Sequence, residues 1–299
     1  MSEISEEALR LAAERARLRG TGDFDEADRL RDRIRELGFE VVDRPDGFDL
    51  RASPGPAARR LRQAEVEGVL DHSPTADFSV HWLAEKWPED VLRGIASFRK
   101  FEDDRTVQHV VVETKASPPA EWPPDVEVVP LEGDPGFGES RNAQLRRSAG
   151  RIVIVADGSV EATGDVFGPL TMALEQRGVG IVGPLGIVTD DLREFRDDLG
   201  PEVDAIESFL MAFRRDLLEE GLGFHPRFRY YRNADIDLSF QVKARGLKAM
   251  RVDLPVARHE HRAWTTMPKQ ERDRLSKRNY YRFLDRFRGR TDLLVSRRD

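Results

Sequence analysis

The architecture turns on residues 150–159, GRIVIVADGS. Ile152-Val153-Ile154-Val155 is a short continuous apolar run, the pattern of a strand buried on both faces. Ala156-Asp157-Gly158-Ser159 closes it as a loop. A carboxylate at the end of a buried strand is held rigidly and faces a crevice. There it can meet a hydrated divalent cation that also binds a diphosphate. The same aspartate can simply cap a turn, with the glycine supplying backbone freedom.

Strand-like and helical stretches alternate on either side of this run. Phe78 to Leu83, Val110 to Val112, Val126 to Val129 and Val179 to Val182 read as strands. Glu89 to Phe98, Ser140 to Ala149 and Asp165 to Arg177 read as helices. This alternation predicts an α/β fold with a mostly parallel central sheet covered by helices on both faces. Ligands of such sheets bind beyond the carboxyl ends of the strands, so the loops after Leu83, Val112 and Val155 are where chemistry is expected.

The first 51 residues read differently. Residues 5–19 form a helical pattern that Ser5 can cap, and Gly20 and Gly22 end it. Asp23 with Glu26 resembles a capping box for a second helix. Its apolar stripe is Ala27, Leu30, Ile34 and Leu37, and Gly38 is suited to its end. Two short strand-like pieces then flank a Pro45-Asp46-Gly47 turn. Residues 52–65, with Ser53-Pro54-Gly55-Pro56, read as a linker.

Composition narrows the function. The chain has 299 residues, enough for one large domain or two smaller ones. Charged residues make up 34% and mean hydropathy is −0.55. No run approaches the roughly 18 apolar residues of a membrane span. The acidic start, MSEISEEALR, does not read as a secretory signal. The lack of cysteine excludes disulfides, thiolate nucleophiles and cysteine metal sites, and a cytoplasmic location is the expectation. The net charge of −7 argues against coating nucleic acid. From Arg262 to Asp299, however, 12 basic residues face 5 acidic ones. That segment suits a peripheral contact with phosphate or lipid headgroups, or a solvated helix face on an acidic body.

Two further stretches carry candidate chemistry. Gly136 to Asn142 is a glycine-containing loop opening a helix, with Arg141 and Asn142 able to face a nucleotide. It lacks the Gly-Lys-Ser/Thr of a phosphate-binding loop. Farther on, a strand ends at Arg214-Arg215. Asn233-Ala234-Asp235-Ile236-Asp237-Leu238 then opens a helix running from Leu238 to Arg245. Asp235 and Asp237 at a helix N-terminus are good dipole partners and caps, and a catalytic reading makes one of them a general base. A strand from Lys248 to Val252 leads to His259-Glu260-His261.

These motifs, in this order over residues 66–265, resemble family 2 glycosyltransferases of GT-A fold, and residues 266–299 read as a basic C-terminal helix. The resemblance implies that a nucleoside-diphosphate sugar binds over the N-terminal half of the sheet. It implies donor contacts from Glu113, Thr114, Arg141, Asn142, Asp157 and Ser159. It implies a divalent cation, Mn²⁺ or Mg²⁺, near Asp157, His259 and His261. Asp235 would be the base that activates an acceptor hydroxyl for inverting attack, with Asp237 and Arg214 on the acceptor side. This sequence departs from the family pattern at Ser159, Thr114, Ala234 and the Ala84-Glu85-Lys86 turn. A non-catalytic nucleotide-sugar or partner-binding protein is therefore the alternative.

Residues 1–51 resemble the C-terminal module of cysteinyl-tRNA synthetases, through Arg15-Ala16-Arg17, Asp23-Phe24, Ala27-Asp28, Arg31-Asp32, Leu37-Gly38-Phe39, Asp43, Pro45, Gly47 and Arg51. With 10 basic and 14 acidic residues, this segment suits self-association or docking better than RNA binding. An RNA-associated protein is the third reading.

Overall fold

The computed structural model describes residues 6–37, 39–44, 47–52 and 60–297. Ser5, Gly38, Pro45-Asp46 and the Ser53-Pro54-Gly55-Pro56 segment lie outside the described residues. The chain forms two compact units, Met1–Arg60 and Leu61–Asp299.

In the first unit, helices α1 (Glu6–Thr21) and α2 (Phe24–Glu36) pack together and lead into strands β1 (Phe39–Arg44) and β2 (Gly47–Ala52). The strands pair antiparallel, with Arg44 opposite Gly47. The Asp23 carboxylate accepts the Glu26 N–H at 3.3 Å, as the capping pattern requires. Ala8, Ala12, Ile34, Phe39 and Val41 form the core. Arg15, with its side chain 3% exposed, donates to both oxygens of Asp43, at 2.6 and 3.0 Å. This bidentate pair ties α1 to β1.

The second unit begins with β3 (Ala76–Ala84), α3 (Pro88–Phe98), β4 (Val107–Glu113), β5 (Glu127–Pro130), α4 (Phe137–Leu145) and β6 (Gly150–Ala156). There follow β7 (Val160–Ala162), α5 (Phe167–Leu174), β8 (Val179–Gly183), β9 (Gly186–Val188), β10 (Arg196–Asp198), β11 (Glu202–Val203), β12 (Ala205–Ile206) and β13 (Leu210–Arg214). The chain continues through α6 (Asp216–Glu219), α7 (Ala234–Ala244), β14 (Lys248–Arg251), β15 (Val256–Arg258), α8 (Arg262–Thr265) and α9 (Lys269–Phe287).

Eight strands form the central sheet in the order β11-β14-β8-β13-β6-β3-β4-β5. Strands β6, β3, β4 and β5 run parallel, as do β8 and β14. Strand β13 lies antiparallel between β6 and β8. Both faces are buried because alternate side chains of each strand enter different cores. Ile154 and Ala156 join Val80, Trp82 and Phe167 on one face; Val153 and Val155 join Phe213, Phe228 and Leu238 on the other. The fold is GT-A, a mostly parallel α/β sheet. Among the described residues no helix is long and apolar enough to cross a membrane.

Helix boundaries differ from the sequence reading where the backbone turns sharply. Helix α4 starts three residues early, directly after Gly136 at φ 87°, a conformation natural to glycine. It ends at Leu145, short of Ala149. Helix α5 occupies only Phe167–Leu174 of the expected Asp165 to Arg177. Helix α7 starts at Ala234 rather than Leu238, because Asn233 takes the left-handed conformation at φ 66° and turns the chain there. Asp237 is therefore not a cap. It lies one turn inside the helix, fully buried.

Helix α9 is not merely a solvated basic face. Phe283 and Phe287 pack on Phe240 of α7, with ring centroids 5.1 and 5.4 Å away. The buried Asn279 amide donates to the Tyr230 and Arg232 carbonyls at 2.6 and 2.9 Å.

A buried ion pair joins α7 to the smaller sheet β10-β9-β12. Lys243 Nζ lies 2.6 Å from Asp204 Oδ1, and both side chains are fully buried. Asp204 also accepts the Thr189 and Val295 N–H groups, each at 2.8 Å. Removing one partner strands a buried charge, so Lys243→Met should cost about 3–5 kcal/mol. Urea unfolding of the variant, read as a shift in midpoint at unchanged slope, checks this.

Candidate active site

The site is built where β3, β4 and β6 end. Asp157 follows the last residue of β6, and its Oδ1 accepts the Ser159 N–H at 2.8 Å, which fixes the carboxylate. Strand β15 pairs antiparallel with β7, Arg258 opposite Val160. The His259 N–H continues this pairing by donating to the Ser159 carbonyl at 2.7 Å. That ribbon carries His261 back over the crevice, where Nε2 lies 3.1 Å from Asp157 Oδ2. The Trp264 N–H donates to His261 Nδ1 at 3.1 Å, so the neutral imidazole carries its proton on Nε2, facing Asp157. The Tyr231 ring covers the imidazole at 4.6 Å between centroids.

Electrostatics follow from this packing. Burial disfavours ionised Asp157, yet the His261 hydrogen bond and charge and the Ser159 N–H hold its carboxyl well below the usual carboxylate range. Burial alone would lower the His261 imidazole; Asp157 and Glu85 outweigh it and raise the imidazole above its ordinary value. Burial, with the charge of Asp134, raises Glu85, which lies within range of Arg141, Asp157 and His261.

Asp235 stands across the crevice in the first turn of α7. Its oxygens accept the Ile236 and Ser208 N–H groups at 2.9 and 3.2 Å. Burial, reinforced by Glu207, pushes its carboxyl up to about 6. One small cavity, lined by Phe137, Arg141, Tyr231 and Phe209, is bordered by Asp157 and His261 as well as by Asp235. It continues on one side into a hollow under Glu85, Trp87 and Ser159. On the other side it meets a cavity of about 420 Å³ that shares Glu207, Arg232 and Asp235 with it.

The remaining residues named from sequence are placed as follows. The Arg141 guanidinium is buried beneath the crevice and donates to the carbonyls of His81 and Ala156. Asn142 spends its amide on Phe224, at 2.7 and 2.9 Å, and lines a separate cavity of about 500 Å³. Glu113 ends β4 and accepts the Trp122 indole N–H at 3.2 Å. Thr114 follows it, with its buried hydroxyl unpartnered among the described residues. Asp237 accepts from Gln241 at 2.8 Å and from Arg286 at 2.5 Å, away from Asp235. Arg214 is not in the crevice. It lies opposite Ile152, whereas Leu210, at the other end of β13, lies opposite Ala156. Its guanidinium donates to the Val179 carbonyl at 2.8 Å.

The metal candidates are only partly brought together. His261 reaches Asp157, but His259 pairs with Glu161 at 2.8 Å. Ser159 Oγ lies buried near the Asp157 carboxylate without a hydrogen bond of normal geometry. Among the described residues no group of three or more histidine or carboxylate side chains is placed to hold a metal ion. Mg²⁺ is commonly held by one or two carboxylates, with waters and substrate phosphates completing its shell, and of the expected set only Asp157 and His261 stand together.

Two residues of the crevice escaped the sequence reading of the site. Glu85 stood out only as a departure in a turn, and Tyr231 carried no motif. Their position directly after β3 and directly before the α7 turn was the signal available.

Comparison with known proteins is consistent with this fold. Residues 1–51 match the family of the cysteinyl-tRNA ligase anticodon binding domain. No curated protein matches the chain by sequence. In structure the chain is similar to GalNAc-T7, solved with UDP, GalNAc and Mn²⁺. The TM-score is 0.56 and identity 15%, over 73% of this chain and 49% of that one. The chain thus spans about half the length of GalNAc-T7. It is also similar to the mannosyltransferase PcManGT from Pyrobaculum calidifontis, solved with GDP-Man and Mn²⁺. There the TM-score is 0.44 and identity 20%, over 67% of this chain and 62% of that one.

The Asp157–His261 pair has a testable signature. Asp157→Asn removes the charge that raises His261, so the imidazole should titrate at a lower pH in the variant than in wild type. NMR titration of the histidine ring protons reads this directly. An unchanged His261 midpoint would show that the two side chains do not interact.

Proposed function

We propose that the chain is a family 2-like glycosyltransferase that moves a sugar from a nucleoside-diphosphate donor to an acceptor hydroxyl, with inversion. The observation that carries this reading is the continuous crevice. At one end it holds a carboxylate kept ionised by its neighbours; at the other, a carboxylate pushed up to about 6. The GT-A fold and the UDP bound in the similar GalNAc-T7 structure support a nucleotide-sugar donor.

In this reading the donor lies over β3, β4 and β6, with Asp157, Ser159 and the unpartnered Thr114 hydroxyl on its side. The acceptor enters from the 420 Å³ cavity. Asp235 takes the hydroxyl proton as that oxygen attacks the anomeric carbon. The bond from the anomeric carbon to the diphosphate oxygen breaks on the opposite face, and the nucleoside diphosphate departs with the electron pair. A base near pH 6 is matched to this task, because it is ionised at neutral pH yet still basic. A divalent cation bound with the donor diphosphate would be held by Asp157 and His261 and would supply positive charge to the leaving diphosphate, and no step is routed through it.

The first unit is proposed as a docking or self-association module. Its acidic balance opposes a phosphate backbone, and Phe24 is 57% exposed.

Asp235→Asn should lower transfer by about 10²–10⁴-fold while leaving donor affinity nearly intact. Asp157→Asn should weaken donor binding. The rate should fall about tenfold per pH unit below about 6, as Asp235 becomes protonated. Radiolabelled-donor transfer and hydrolysis assays, with donor titration by calorimetry, check all three. A wild type that binds donor but neither transfers nor hydrolyses it is a binding protein, and the reading fails.

A further inference from the structure

The acceptor-side cavity has a definite chemistry. Its volume is about 420 Å³, and Asp235 stands on its wall. Arg193, Arg232 and Lys277 converge on it from the loop after β9, the turn before α7 and helix α9. Among the described residues none of the three has a carboxylate within 4 Å, although Arg232 also lies over the Trp264 ring at 5.3 Å; most other arginines of the second unit are paired. Phe195 and Tyr280 supply apolar wall, and the Tyr280 hydroxyl is spent on the Leu192 carbonyl at 3.1 Å.

The acids of the cavity do not neutralise these cations. Glu207 is already paired with Arg258 at 3.1 Å. Asp235, ionised at neutral pH, lies within range of the Arg232 charge. That leaves Asp197 and Asp235 against three cations, one positive charge in excess. The three side chains are exposed and water screens their repulsion, so the hollow stays open and positive at its rim, which favours entry of an anion. Guanidinium groups also match the planar, two-oxygen edge of phosphate and carboxylate.

We propose that the acceptor is anionic: the hydroxyl facing Asp235 belongs to a molecule whose phosphate or carboxylate group is held by Arg193, Arg232 and Lys277. This rests on the transferase reading above. The cations set which acceptor is taken and in what orientation, and Asp235 acts on the hydroxyl beside them.

The test uses the full chain and two separate readouts. The first is calorimetric titration with inorganic phosphate in the absence of donor. The double variant Arg193→Gln/Lys277→Gln should bind phosphate at least tenfold more weakly than wild type. Lys277→Arg should retain binding, and melting temperatures report that each variant is folded. Equal affinity in wild type and double variant overturns the proposal. So does a loss seen only in Asp157→Asn, which would put the anion on the donor side. The second readout is transfer to glycerol against transfer to glycerol phosphate. Wild type should show the lower KM for the phosphorylated alcohol, and the double variant should raise that KM at least tenfold. A wild type that binds phosphate through these residues but handles no donor overturns the transferase reading. A wild type that turns over donor but prefers the neutral alcohol overturns the anionic acceptor alone.

Discussion

A single buried guanidinium sets the geometry of the crevice. Arg141 is 2% exposed, and an isolated cation at that depth is strongly unfavourable. The fold compensates with acceptors in fixed positions: the His81 carbonyl at 3.2 Å, Gln144 Oε1 at 3.1 Å and the Ala156 carbonyl at 3.1 Å. Gln144 in turn donates to the Trp82 carbonyl at 3.1 Å. One turn of α4 therefore binds two carbonyls in the last half of β3 and the last carbonyl of β6. Burial lowers Arg141 to about 10, against the opposing charges of Asp157 and Glu85, so it stays protonated at neutral pH. Its charge acts on both carboxylates from below.

The rest of the site arrives from far along the chain. Strand β15 is pinned to β7, and this delivers His261 to Asp157 across about a hundred residues. Helix α9 delivers a different kind of support. Its Phe283 and Phe287 pack on α7, while Asn279 holds the carbonyls of Tyr230 and Arg232. The loop carrying Tyr231 and Arg232 is thereby fixed between the two ends of the crevice. A helix whose charge suggested a surface contact instead positions part of the site through its apolar face.

The sequence disclosed the sheet well, because the run Ile152 to Val155 and its companion strands are too continuously apolar to lie anywhere but inside. It disclosed Asp157 and Asp235 because each directly follows a change of periodicity. It did not disclose the ends of helices. The start of α7 depends on a left-handed Asn233, and this one backbone angle moved Asp237 from a cap to a buried partner of Arg286. It also did not disclose direction. Arg214 ends an apolar strand just as Val155 does, but β13 runs antiparallel, so the end of β13 lies opposite Ile152. Strand polarity is a property of the whole sheet, which no local pattern reports. The histidines show the same limit at closer range: His259 and His261 are two residues apart, a spacing that puts both on one face of a continuing strand, but β15 ends at Arg258 and the chain turns toward α8. One meets Glu161 and the other Asp157.

The division of labour in the crevice follows from solvation rather than from residue type. Asp157 and Asp235 are both aspartates, and burial disfavours the charge on both. Asp157 has an imidazole and a backbone N–H aimed at it, so ionisation wins. Asp235 has two backbone N–H groups but also the nearby charge of Glu207, so the neutral form gains. Two like groups whose surroundings drive them apart can take different roles at one pH. The first is a fixed anion that orders its surroundings, and the second can accept a proton and release it. Arg258 matters here as well. Its ion pair with Glu207 and its stacking on Phe209 at 4.2 Å restrain the charge that keeps Asp235 basic.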